Sequence, residues 1–213
     1  SLADSKALLP SLCGFFEKHP LIKPDVFLGD SAFDSIDIYN TLLGKDGIGF
    51  SKAFIPLNSR CDLKYPDCPI NEDGIPCCPK DSTLPMKPET SKSNLRCGMP
   101  TLKFVCPMMS WVKCEDGKSR RRTSCKNPCT DSPCGRMFYV YPQKNLRTFP
   151  GTVRGTEEWD DTYKIRVAVE KSINHFKDSF CVAGRKTRNA LTSEADLYLA
   201  GITQLVTVLL ADS

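Results

Sequence analysis

The stretch YKIRVAVEKSINHFK, residues 163–177, decides how this chain is read. Its Tyr163, Arg166, Glu170 and Lys177 stand at spacings that a single helix turns onto one side. At about 100° per residue, with Tyr163 at zero, the other three fall near 300°, 340° and 320°. Ile165, Val169, Ile173, Phe176 and Phe180 occupy the neighbouring arc, roughly 200–280°, while Lys164, Lys171, His175 and Asp178 take the far side. A helix expected over 157–180 thus carries a carboxylate between cations on a stripe that borders its core face. An acid so placed can hold a divalent metal while the cations and the Tyr hydroxyl grip phosphates beside it, as phosphodiester chemistry requires. An ordinary helix with an i,i+4 Arg–Glu pair has the same spacing.

Upstream of this stretch the chain alternates helix and strand. Leu8, Leu9, Leu12, Phe15 and Phe16 predict an amphipathic helix over 6–18, stopped by His19–Pro20. The run DVFLGD, 25–30, is short, apolar and bounded by turn residues, which suits a strand buried on both faces of a parallel sheet and puts Asp30 where that strand leaves the core. Asp34 is expected to cap a helix through Ile36, Ile38, Tyr39, Leu42 and Leu43 to Gly44, with Asp37 in its first turn. A second strand is expected over 48–57. From 58 to about 149 the pattern dissolves into Pro, Gly, Cys and charges, with strand-like runs at 102–105 and 137–141, which reads as an inserted module with little core of its own. Helical periodicity returns at 157–180 and 193–211, separated by a basic turn at 184–189. The expected class is α/β: a core built from 1–57 and 151–213, interrupted by a β-containing, cysteine-rich insertion at 58–150.

Hydrophobic residues make up 40% of the chain, an ordinary content for a globular core. Its longest apolar stretch, near the C-terminus, is interrupted by Asp196 and Gln204 and falls short of the roughly 18 residues that suggest a membrane span. The first 17 residues lack the basic start and apolar block of a signal peptide. Between Arg60 and Arg154 there are 17 Lys/Arg and 9 Asp/Glu, net +8, while the flanks carry 12 and 16, net −4. A basic segment on a mildly acidic scaffold reads either as a polyanion-facing surface or as a solvated loop.

Ten of the twelve cysteines lie between Cys61 and Cys134, with Cys13 and Cys181 standing apart. A cluster inside a larger chain favours metal over the disulfides of small secreted domains. Cys125, Cys129 and Cys134, with Cys114 as fourth, can supply thiolates to one Zn²⁺; a second set is Cys68, Cys77 or Cys78, Cys97 and Cys106. Structural zinc would support a module poor in apolar core. Lys118, Arg120, Arg121 and Arg122, with Lys113 beside Trp111, form a candidate phosphate-contacting patch. Trp111 and Trp159 either stack on an unpaired base or pack; packing is the expectation for both. His19 and His175 are expected at the surface.

The spacing Y-(2)-R-(3)-E-(6)-K resembles the YREK signature of bacterial insertion-sequence transposases, whose DDE catalytic triad sits on a ribonuclease H-like fold, a mixed sheet flanked by helices. Gly29-Asp30-Ser31-Ala32-Phe33 resembles that family's second acidic motif, at the end of its fourth strand. The run from Arg154 to Trp159 resembles the stretch leading into its YREK helix. The resemblance implies that Asp30 and Glu170 are catalytic carboxylates binding Mg²⁺ or Mn²⁺. It also implies that Tyr163, Arg166 and Lys177 contact phosphates of the transposon end; Arg154, and Arg120, Arg121 and Arg122 of the basic patch, are further candidate DNA contacts. The partner is then double-stranded DNA, both transposon ends and target, cleaved and joined by a homodimer in the bacterial cytoplasm at the nucleoid. The family's first Asp is expected upstream of Ser1, so the 213-residue chain would be a partial catalytic domain, inactive alone. The alternative is a non-enzymatic, zinc-dependent DNA-binding remnant of such a protein.

Overall fold

The structure is a computed structural model that describes residues 4–23, 25–60, 63–89, 95–96, 99–179 and 189–211. The chain is mixed α/β, with several small sheets and helices, and divides into two units, Ser1–Tyr163 and Lys164–Ser213.

The first unit opens with helix α1 (Asp4–Lys18), strand β1 (Val26–Leu28), a one-turn 3-10 helix (Ser31–Phe33), helix α2 (Ile36–Leu43) and strand β2 (Lys52–Phe54). Helix α1 tolerates Pro10 in its interior, and its Leu8, Leu9 and Leu12 pack on a buried cluster of Phe27, Ile38, Tyr39, Leu42, Ala53 and Ile55. Strands β1 and β2 pair in parallel, with Phe27 opposite Ala53 and Leu28 opposite Phe54, and Gly29 N donates to Phe54 O at 3.1 Å one residue beyond the strand. This is the β-α-β unit expected from the sequence, but the sheet has two strands. Phe27 is buried while Val26 and Leu28, pointing the other way, are exposed and half-buried, so the strand is not buried on both faces as expected. The expected helix cap is also corrected. Ser35 is the N-cap of α2, its Oγ accepting from Ile38 N at 3.4 Å, and Asp34 turns inward instead.

The middle of the chain carries short strands: β3 (Cys77–Cys78), β4 (Asp81–Pro85), β5 (Lys87–Glu89), β6 (Leu95–Arg96), β7 (Met99–Pro100), β8 (Leu102–Val105), β9 (Met109–Lys113), β10 (Ser119–Thr123) and β11 (Met137–Val140). Strands β11, β8 and β5 form an antiparallel sheet with β8 central, and all four β8 residues are buried. Strands β9 and β10 pair as a separate hairpin. Contrary to expectation, this module has a core: Ile75, Met86, Leu102, Phe104 and Val140 cluster with Cys68 and Val153, and Tyr65, Phe138 and Phe149 pack against them. Strands of two to five residues are too short for alternation to register as a pattern, which is why that core was missed.

A 3-10 turn (Leu146–Thr148) leads to helix α3 (Glu157–Tyr163), capped by Thr156, whose Oγ1 accepts from Trp159 N, with Glu157, Glu158 and Asp160 in the first turn. The second unit contains α4 (Arg166–Ser179) and α5 (Ala190–Ala211). The single helix expected over 157–180 is thus two, broken at Lys164 and Ile165 in a run rich in β-branched residues. Among the described residues, no helix is long and apolar enough to cross a membrane. The 184–188 part of the expected basic turn, with Phe180 and Cys181, lies outside the described residues.

Candidate functional site

Asp30 stands at the carboxyl end of the parallel strand β1, two residues past Leu28. In parallel α/β sheets this is the edge where ligands bind. Its backbone is extended and its Oδ1 accepts from Ala32 N at 2.9 Å, so Asp30 caps the 3-10 turn and its carboxylate direction is set locally. Gly29 is required by a close approach. A Cβ there would come within 2.7 Å of the Phe27 ring and 3.1 Å of the Phe33 ring, two rings that pack edge to face.

On α4, Arg166, Glu170 and Lys177 lie within about 40° of one another around the axis. Glu170 and Lys177 are exposed, and Arg166 Nη2 meets Glu170 Oε1 at 3.0 Å, the i,i+4 pair that the spacing allows. Tyr163 lies outside α4. It closes α3 and stacks on Trp159 at 6.2 Å between centroids, with 16° between the planes. The apolar arc expected to face a core, Ile165, Val169 and Ile173, is exposed.

Arg154 is corrected outright as a DNA contact. It is 4% exposed, and its guanidinium is used internally: Nε donates to Ile55 O at 3.0 Å, Nη1 to Arg147 O at 2.9 Å and Nη2 to Tyr39 Oη at 2.7 Å. Tyr39 Oη in turn donates to Asp34 Oδ1 at 3.0 Å. Asp34, whose side chain is fully buried, also accepts from Arg147 Nε at 2.8 Å, Arg147 Nη2 at 2.7 Å and Asn58 N at 2.7 Å. Four donors saturate its two oxygens. Burial drives the Tyr39 hydroxyl pKa far above its ordinary value, so it stays a donor. This network was missed in the sequence because its members lie up to 115 residues apart and share no periodicity. It fastens α2 to the segment 147–154, and Asp34 is four residues from Asp30.

The three arginines of β10 do not form one patch. Arg121 lies opposite Trp111 in the hairpin register, whereas Arg120 and Arg122 oppose Val112 and Ser110 and so point to the other face. Arg120 pairs with Asp116. Arg121 pairs with Glu89 and lies 4.8 Å above the Trp111 ring. Trp159 packs as expected, buried 5.0 Å from Phe54, but Trp111 is 61% exposed. His19 and His175 are at the surface.

Glu89 is also bound to buried Lys103 at 2.7 Å. Desolvation works to raise its carboxyl pKa, but the hydrogen bonds and charges of Lys103 and Arg121 prevail and lower it. A carboxylate with a depressed folded pKa adds stability above its unfolded pKa and loses that contribution as pH falls through the folded value. Glu89→Gln should therefore be less stable than the parent at neutral pH, and the gap should close as pH falls below about 4.5. Urea unfolding across that range measures it; a gap independent of pH would contradict the assignment.

The thiols are regrouped by the fold. Cys114 N donates to Lys118 O at the far tip of the β9–β10 hairpin, while Cys125 lies just past Thr123 at its base. Five strand residues at about 3.3 Å each separate the two by roughly 15 Å, so Cys114 cannot share a zinc with Cys125. Cys78 and Cys106, assigned by spacing to another set, instead line one cavity with Cys125 and Cys129. Cys68 donates to Cys77 O at 3.3 Å, and Cys97 lies outside the described residues. As they lie, no three described His, Cys, Asp or Glu side chains are close enough together to hold a metal ion.

Comparison with family models, with curated proteins and with solved structures returns no match for this chain.

Proposed function

We propose that this chain is the C-terminal part of a DDE transposase catalytic domain with a ribonuclease H-like core, cleaving and joining DNA at transposon ends. The observation that carries the reading is Asp30 at the carboxyl end of parallel strand β1, in the order and motif context that the Arg166, Glu170 and Lys177 helix requires. Each carboxylate, Asp30 in the first unit and Glu170 in the second, is of the oxygen-donor type that Mg²⁺ and Mn²⁺ take. When bound, the metals supply activation of a water or 3′-hydroxyl and stabilisation of the leaving oxygen in an in-line displacement at phosphorus. The chain's own contributions are distinct. Asp30 presents a carboxylate oriented by Ala32 N, Glu170 presents one on a helix, and Lys177 and Arg166 hold phosphate oxygens beside it. Arg122, exposed on the β9–β10 hairpin, is a further phosphate contact.

A second reading, a DNA-binding remnant without cleavage, is favoured by one observation: Glu170 is engaged by Arg166. Such an i,i+4 pair is worth only about 0.2–0.5 kcal/mol, so a divalent cation can displace it. Metal-directed backbone cleavage discriminates the readings. With Fe²⁺ in the metal site, ascorbate and peroxide, the chain should be cut close to Asp30 and close to Glu170. Both cuts should be suppressed by excess Mg²⁺. Cuts at one position alone, or at neither, would sink the proposal.

A further inference from the structure

The segment 124–134 has no helix or strand and no buried residue, yet it is held against the β3–β4 hairpin. Lys80 Nζ donates to Asn127 Oδ1 at 3.0 Å and to Pro128 O at 2.7 Å. Beside that anchor, Cys78 on β3, Cys106 just after β8, and Cys125 and Cys129 on the segment itself surround one cavity of about 20 Å³, room for a single water-sized occupant. The rest of its lining is mainly apolar, with Leu84, Pro107 and Met108. Cys106 Sγ is 4.0 Å from Thr123 Oγ1.

We propose that Cys78, Cys106, Cys125 and Cys129 form a structural Zn²⁺ site that ties the 124–134 segment to two separate strands of the module. Cysteines from three stretches of chain, 51 residues apart at the extremes, line one small apolar cavity where water has few partners. Soft thiolates in a tetrahedral set of four are the donors zinc takes in closed structural sites. Zinc binding replaces four S–H protons, released to solvent, with four Zn–S bonds and leaves a complex of net charge −2. Arg136 lines the same cavity, and its buried Nε has no hydrogen-bond partner. With Lys80 at the segment's anchor, it supplies compensating positive charge. The thiols line the cavity without yet converging, so binding draws them inward by adjustment of the 124–134 segment. The site does not depend on the transposase reading, because its role is to close a loop.

Thiol footprinting on the intact 213-residue chain, purified without added zinc, tests this. The protein should carry about one zinc per chain. Cys78, Cys106, Cys125 and Cys129 should react with iodoacetamide at least about tenfold more slowly than after chelation, while Cys13 and Cys114 are unaffected. Co²⁺ in place of zinc should give the intense visible bands of tetrahedral thiolate coordination; these should vanish in Cys129→Ser and persist in Cys114→Ser. The wild-type footprint decides the matter even if Cys129→Ser fails to fold. Three results would overturn the proposal: protection centred on Cys114 and Cys134, protection removed by a reductant and not by a chelator, or no chelator-dependent protection.

Discussion

Arg147→Met is expected to destabilise the first unit by about 3–5 kcal/mol, because it removes one partner of a buried ion pair and leaves the other charge behind. The Asp34 side chain is fully buried, and Arg147 supplies two of its four hydrogen bonds. The remaining two, from Tyr39 Oη and Asn58 N, cannot offset a desolvated carboxylate. Replacing both partners with apolar residues should recover part of the loss, since a buried pair often exchanges for packing at little cost. Recovery should be incomplete, because the Asn58 amide and the Tyr39 hydroxyl then lose their acceptor. Urea unfolding of the single and double variants measures both effects. A single variant within about 1 kcal/mol of the parent would mean the network is not buried as described. Because Asp34 ends the loop that begins at Asp30, the same substitution should also loosen the placement of Asp30.

In the longer transposase chain that the proposed function calls for, Asp30→Asn and Glu170→Gln should each reduce strand cleavage about a thousandfold or more. Metal-borne charge stabilisation is worth several kcal/mol in the transition state, and each 1.4 kcal/mol or so is a factor of ten. The helix itself should be unaffected, because the Arg166–Glu170 pair contributes only a few tenths of a kcal/mol. Binding to duplex ends should therefore persist, with its salt dependence unchanged. Lys177→Ala is expected to behave differently, weakening binding across all sequences and lowering the salt slope by about one. Full cleavage activity in Glu170→Gln would remove Glu170 from the catalytic set.

Elements of one or more full periods were legible. The α1 heptad-like leucines, the apolar run at β1 and the helix from Ile36 declared themselves because local spacing fixes which side of an element is apolar. The boundaries of β8 were read correctly for the same reason, as a four-residue apolar run between breakers. The candidate carboxylates were legible as residues at a spacing, Asp30 after a strand and Glu170 on a helix. Tyr163 falls outside α4 because helical arithmetic assumes an unbroken helix, and the break at Lys164 and Ile165 ends α3 at that residue.

By itself, the sequence determined the local alternation of helix and strand, the concentration of cysteine and positive charge in the middle of the chain, and the identity of the groups available for chemistry. Only the tertiary structure decided which of those groups meet. It buried Arg154 and Asp34 in a saturated network, split the arginines of β10 between two faces, and took Cys114 away from Cys125 while bringing Cys78 and Cys106 to it. The physical reason is that periodicity is a property of neighbours along the chain, whereas burial, ion pairing and thiol grouping depend on contacts across tens to more than a hundred residues that no local spacing records.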